Sequence, residues 1–392
     1  MGRWGARSLI PLSLTLQASL GILLGHGYDL LVGYVAARNT VHGLSPYIGG
    51  HLPNPSYPPE IQGIGETPLW PLYLSLSYTA SGGDLFTFNA VSKIPILVSC
   101  LTTYALASRL GVGGASFYLL NPYVLLTSVA WGKPDLLASL AAVAALLLVE
   151  RRHLSALLLA VSLNIKPLGL GLVPAIASYL GARRGAEYVS ELLLLSTAIF
   201  AAPFLLLGWE APTTPQGLSN WLSDVGGISP TNLIDYLYGW DWGRRSPLGP
   251  LIGFFWLAAL GLSALAVSLR RPSSTSGLMQ CSLLGSTVFI LLRPSVSEQN
   301  LILPLMLLHL NLRSPPRMRL WASILLFAAL NLSIPQLLYP VNPEIVPDIY
   351  RFTAGIESSR LLAKFGASIL FYSIYFSELF RVIGVCGSSR RG

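Results

Sequence analysis

The sequence predicts an all-α protein, a polytopic transmembrane helix bundle of about 11 to 12 spans, each needing about 20 apolar residues. Three observations predict it. Hydrophobic residues make up 53% of the 392-residue chain and charged residues only 11%, whereas a soluble globular protein carries roughly 25% charged residues. Too little polar surface remains to coat a fold in water, so apolar surface must face lipid. Apolar runs near membrane length recur from end to end. The basic residues fall in every second gap between those runs, the trace of cytoplasmic loops.

The spans are read at 8–24, 85–108, 114–131, 134–150, 153–165, 167–181, 187–208, 248–268, 277–292, 298–312, 320–338 and 361–384. The first follows Arg3 and Arg7 with no small-residue cleavage pattern, so it reads as an uncleaved first helix and not as a signal peptide. The segments 153–165 and 167–181 are short and meet at Asn164-Ile165-Lys166-Pro167, a polar apex. Leu69–Tyr78 is apolar but too short to cross, and reads as a re-entrant or interfacial helix. No polar stretch is long enough for a soluble domain. The chain reads as one integral membrane domain, 1–392. Its first outer loop, 25–83, carries interfacial helices, and its second is 209–247.

Charge gives this layout a sidedness. With the N-terminus in the cytoplasm, Arg3, Arg7, Arg109, Arg151, Arg152, Arg183, Arg184, Arg270, Arg271, Arg313, Arg317, Arg319, Arg381, Arg390 and Arg391 all fall on that side. Both termini are then cytoplasmic in a multi-pass protein of the cell membrane, surrounded by membrane lipids. The site-like residues gather on the outer face. The net charge of +8 is spent on those loops, so it does not indicate nucleic acid. Cys100, Cys281 and Cys386 lie in or beside apolar runs and read as small core residues. The five histidines show no metal spacing. No nucleotide-binding loop, nucleophile elbow or zinc motif is present, which argues against an ATP-driven pump or a soluble-type nucleotide-sugar enzyme. No internal repeat points to a solenoid or an inverted-repeat transporter.

Charged residues close to hydrocarbon are costly and mark candidate sites. Asp29 stands directly after the first span, either as a helix cap or as a functional acid. Lys133 and Asp135 flank Pro134, where they can pair with each other or hold a ligand, and Asp135 also suits a helix start. Lys166 interrupts an apolar run and can either snorkel or neutralise a lipid-linked phosphate. Arg293 can hold a phosphate bidentately or pair with Glu298. Glu66 precedes the interfacial helix as a cap-region acid. Tyr47, Trp70, Trp131, Trp221, Trp240 and Trp242 can stack on sugar faces or anchor the chain at the interface.

The motifs Gly43-Leu44-Ser45-Pro46-Tyr47, Glu66-Thr67-Pro68-Leu69 and Phe117-Tyr118-Leu119-Leu120-Asn121-Pro122-Tyr123, with Arg293-Pro294-Ser295-Val296, occur in an order that resembles the GT-C class of membrane glycosyltransferases. Within it, the chain is similar to GPI mannosyltransferase 1 and to the U subunit of GPI transamidase, chiefly over residues 25–180. The resemblance implies transfer of a sugar, a hexose such as mannose, from a polyprenyl-phosphate donor to a lipid or glycan acceptor. It implies that Asp29 is the catalytic acid/base. The mannosyltransferase has a paired Asp-x-Asp at this point, and this chain has His-Gly-Tyr-Asp with one acid. A divalent cation, Mg2+ or Mn2+, is the cofactor such sites take. Lys166, Arg293 and Lys133 are then expected to bind the donor phosphate, and Asp135, Glu66, Tyr47, Trp131 and Glu298 the substrates. The alternative reading is a non-catalytic glycolipid-binding subunit with a membrane-protein partner, as the U subunit is.

Overall fold

A computed structural model describes residues 3–51, 60–210, 226–237, 249–293 and 295–388. Trp221, Trp240, Trp242 and most of the expected second outer loop lie outside them. The described chain is helical, apart from turns and two pairings of two-residue strands. Every expected span overlaps a helix. Among the described residues, Leu85–Arg109 and Ala182–Leu206 are each long and apolar enough to cross a membrane. Pro122–Ala130 and Asp135–Leu147 pass that test as a pair bent by 110°. Six further apolar helices are shorter.

The chain divides into two compact units. The first comprises Met1–Leu137, Ile199–Thr213 and Leu332–Gly355. It opens with α1 (Arg3–Leu23), α2 (Gly27–Val41), α3 (Leu69–Ala80), α4 (Leu85–Ser92) and α5 (Ile94–Arg109). α3 is the short helix expected at 69–78, and twelve residues give it a length of about 18 Å, too little to span. α2 lies in the loop expected to carry interfacial helices, but it is not exposed like one. Leu30, Leu31, Val32, Gly33, Val35, Ala36 and Ala37 are all buried, so apolar side chains cover most of its circumference instead of one stripe. Leu74 of α3 packs within 3.3 Å of where a Cβ on Gly33 would stand.

The span expected as one helix over 114–131 is broken into three pieces. A first turn, Phe117–Leu120, ends because Asn121 precedes Pro122 and is extended. The Asn121 side chain then accepts from the Tyr123 N–H at 2.8 Å and restarts the helix. The break frees the Leu119 carbonyl, which Ser13 and Gln17 of α1 satisfy at 2.9 and 3.0 Å. Leu125–Ala130 then winds as a π-helix, a form frequent at functional sites.

The second unit comprises Ala138–Ala198, Thr214–Asn331 and Ile356–Gly392. The expected apex at Lys166 is a real break: Lys166 is extended between the helix Arg152–Ile165 and a 3-10 stretch, Pro167–Leu172. That stretch crosses the helix Thr275–Leu291 backbone to backbone. A Cβ on Gly171 would lie 2.7 Å from the Gly285 carbonyl oxygen, and one on Gly285 only 2.2 Å from that of Gly171. Only glycine on both sides permits this approach, the small-residue packing by which helices associate in lipid. The unit also holds the short turn Glu298–Leu301, the buried helix Ile302–Leu312, and the 32-residue helix Glu357–Ser388.

Candidate active site

The first unit brings Asp29, Glu66, Trp131 and Lys133 together, though up to 104 positions separate them in sequence. Asp29 sits in the first turn of α2 and is not its cap. His26 is the N-cap, and its side chain accepts from the Asp29 N–H at 3.5 Å. The carboxylate is therefore free to turn elsewhere. Its Oδ1 lies 2.9 Å from Lys133 Nζ, and its Oδ2 accepts from the Trp131 indole N–H at 2.6 Å. Lys133 Nζ also lies 2.6 Å from Glu66 Oε1. One ammonium is thus shared by two carboxylates. Lys133 has two long-range partners. Asp135 is buried and opens the helix Asp135–Leu147, as a helix-start acid should.

Backbone geometry puts Lys133 there. Gly132 has φ +86°, a left-handed conformation that any side chain would strain. A Cβ on it would also meet Lys93 Cε at 2.8 Å. Pro134 follows and cannot continue the preceding helix. The chain therefore turns sharply at Trp131–Pro134 and returns Lys133 toward α2.

The charges perturb one another. Burial pushes the Asp29 carboxyl up, but Lys133, His26 and the indole N–H outweigh it and hold the group below the usual carboxylate range. Burial alone would depress the Lys133 ammonium, and Asp29 and Glu66 reverse that and raise it. His26 is pushed down to about 4, first by burial and then by Lys133, with Asp29 opposing. It is therefore a neutral imidazole at pH 7, stacked on the Trp131 ring at 4.3 Å with the planes 6° apart.

Asp29, Glu66, Trp131 and Lys133 line a small cleft. Trp70 and Leu74 of α3 and Ile64 form apolar walls, and Asn89, Ser92 and Lys93 lie on the α4–α5 side. A cleft with apolar walls and a few convergent polar groups is the usual form of a small-ligand site. Tyr47 stands near Glu66: its hydroxyl is pushed up by burial and by that carboxylate. Its ring stacks on Phe204 at 5.8 Å and meets Trp209 edge-on at 6.0 Å. Ser45 ties the same loop to the Glu210 carbonyl at 2.9 Å.

The other expected residues belong to the second unit. Arg293 hydrogen-bonds within its own turn, with Nε donating to the Ser295 carbonyl at 2.7 Å and Nη2 to Asn300 Oδ1 at 2.5 Å. Glu298 is buried, and its Oε1 accepts from Asn331 at 3.0 Å. Lys166 is half-buried at the apex described above.

Among the described residues no group of three or more His, Cys, Asp or Glu side chains comes together in a way that fits a metal ion. The two acids of the cleft share the Lys133 ammonium.

His26, Asn89 and Lys93 were not singled out by sequence. Asn89 and Lys93 carried a readable signal: an amide and an ammonium four residues apart inside an apolar run, where such groups are rare. His26 carried none beyond adjacency to Asp29.

No family model matches the chain, and no curated protein matches it significantly. The two GPI-pathway resemblances therefore rest on the short motifs alone. A solved structure, ArnT from Cupriavidus metallidurans bound to undecaprenyl phosphate, is similar at 12% identity with a TM-score of 0.49, over 99% of this chain and 79% of that one.

Proposed function

We propose that this membrane protein is a GT-C-type glycosyltransferase that moves a hexose from a polyprenyl-phosphate donor to the hydroxyl of a lipid or glycan acceptor. The observation that carries the reading is the Asp29–Lys133–Glu66 cluster, a buried acid held beside a buried cation at a cleft with aromatic and apolar walls. Transfer of this kind needs one group to take a proton and one to receive negative charge, and the cluster supplies both.

In the resting protein Asp29 is a weak base, because Lys133 and the Trp131 indole stabilise its carboxylate. An incoming donor phosphate competes for Lys133. As the ammonium moves toward the phosphate, Asp29 loses its counter-charge and becomes a stronger base. Asp29 then takes the proton from the acceptor hydroxyl, and the acceptor oxygen bonds to the anomeric carbon. The bond from that carbon to the phosphate oxygen breaks, and the polyprenyl phosphate leaves with its negative charge held by Lys133. Glu66 keeps Lys133 oriented through the exchange. Trp131 orients Asp29, and Tyr47 and Trp70 offer faces to sugar. Activating the base only when donor is bound guards against transfer to water.

The cleft is assigned to the outer side of the membrane, with both termini cytoplasmic, on the distribution of arginines. The test supplies purified protein with polyprenyl-phosphate mannose or glucose and a lipid extract. Wild type is expected to transfer sugar and Asp29→Asn to fall by about 10²–10⁴-fold. Equal transfer by both removes Asp29 from the chemistry. Glycolipid binding with no transfer by either protein favours the scaffold reading.

A further inference from the structure

Lys93 is almost fully buried, at the junction of α4 and α5, and the chemistry above does not use it. Its ammonium donates to three backbone carbonyls: Gly21 at 3.0 Å, Ala130 at 2.8 Å, and Leu24. Each acceptor is orphaned for a local reason. Gly21 and Leu24 belong to the end of α1, where the last carbonyls of a helix have no partner on the next turn. Ala130 is the last residue of the π-helix, so its carbonyl is a helix-end acceptor too, and Pro134, four residues on, has no N–H. Asn89, one turn before Lys93, adds hydrogen bonds to Gly21, Ile22 and Leu24 at 3.1–3.2 Å. A single ammonium thus joins the C-terminus of α1 to the end of the π-helix.

The two tied points abut the site. Leu24 stands two residues before His26, and Ala130 immediately precedes Trp131. His26 and Trp131 stack face to face, and the Trp131 indole N–H clamps Asp29. Gly132 leaves room for the Lys93 chain to pass. We infer that Lys93 is a positioning residue: by fixing the Leu24 and Ala130 carbonyls it sets the His26–Trp131 stack and through it the aim of the Asp29 carboxylate. This inference rests on the assignment of Asp29 to the chemistry, but the geometry it describes is measurable without transfer.

The experiment uses the full chain in nanodiscs with 15N-labelled tryptophan indoles, and Trp131→Phe assigns the Trp131 signal. Wild type should show that indole proton far downfield, as a 2.6 Å bond to a carboxylate requires. Lys93→Met keeps the side chain as far as Cε and removes all three donors. It should move the resonance upfield while the melting profile stays cooperative. Lys93→Gln, whose amide keeps two N–H donors but ends one atom short of Nζ, should move it by less, and it serves if Lys93→Met does not fold. In the transfer assay kcat should fall by about 10²-fold with KM for the donor unchanged, the scale of a 1 Å misplacement. An unmoved Trp131 resonance in a folded Lys93 variant overturns the inference and leaves the transfer reading standing. A shifted resonance in a protein that transfers no sugar in wild-type form keeps the inference and removes the transfer reading.

Discussion

The cleft around Asp29 and the turn around Arg293 are built from the same kinds of side chain, a cation, an acid and amides near buried backbone. They spend them differently. In the cleft, Lys133 faces two carboxylates from distant parts of the chain, and all three line an open space. In the turn, Arg293 donates to Ser295 and Asn300, two and seven residues away. Asn300 in turn accepts from the Ser297 N–H and closes a capping box at the start of Glu298–Leu301. A charge whose partners are backbone and amides of its own turn stabilises that turn. A charge whose partners are distant, charged and exchangeable is available to a ligand. Sequence proximity to polar residues does not separate the two cases.

Removing a charge from each region sharpens this contrast. Lys133→Met leaves Asp29 and Glu66 buried without their cation and should destabilise the protein by about 3–5 kcal/mol in detergent unfolding. Adding Glu66→Gln should recover part of that, because only one carboxylate then stays unpaired; a strictly additive double variant would contradict the shared-ammonium geometry. Arg293→Gln should cost about 1.5–3 kcal/mol through its lost charged hydrogen bonds. Its residual transfer, corrected for the folded fraction, should equal wild type, and a specific loss of donor affinity would return Arg293 to the site. Gly132→Ala should cost about 1–3 kcal/mol through backbone strain and weaken transfer more than any alanine substitution at an exposed loop glycine.

The smallest expected effect is one of pH. His26 falls from 6.5 unfolded to about 4 folded, so between those values the unfolded chain binds the extra proton and stability rises with pH. Lowering the pH from 7.5 to 5.5 should remove about 1 kcal/mol through this group, and His26→Gln should flatten that part of the profile. Asp29 works in the same direction at more acidic pH. Its depressed pKa contributes stability that is present above the unfolded value and lost as pH falls toward the folded one. A melting temperature equally flat in wild type and His26→Gln from pH 7.5 to 4.5 would contradict the buried neutral imidazole.

The contrast also explains what sequence reveals. Helical class was legible, because apolar runs and scarce charge are enough to specify it. The short helix at Leu69–Ala80 was legible from its length. Asp29, Glu66, Trp131 and Lys133 were legible one by one as polar groups beside apolar runs. Their partners were not, because the turn that sends Lys133 to α2 depends on Gly132 adopting a left-handed φ against Lys93. The breaks at Asn121 and the π-helix were hidden inside a run that looked continuous, since hydropathy does not register where a proline removes one hydrogen bond. Arg293 is opaque for another reason: a guanidinium between two spans looks the same whether it awaits a phosphate or hydrogen-bonds within its own turn.

The most direct test compares the two regions in one assay. Transfer of hexose from a polyprenyl-phosphate donor is measured for wild type, Asp29→Asn and Arg293→Gln in the same membranes, each normalised to folded protein. The account predicts that Arg293→Gln transfers at the wild-type rate and that Asp29→Asn loses about 10²–10⁴-fold. Full activity in Asp29→Asn would contradict it, whatever Arg293→Gln does.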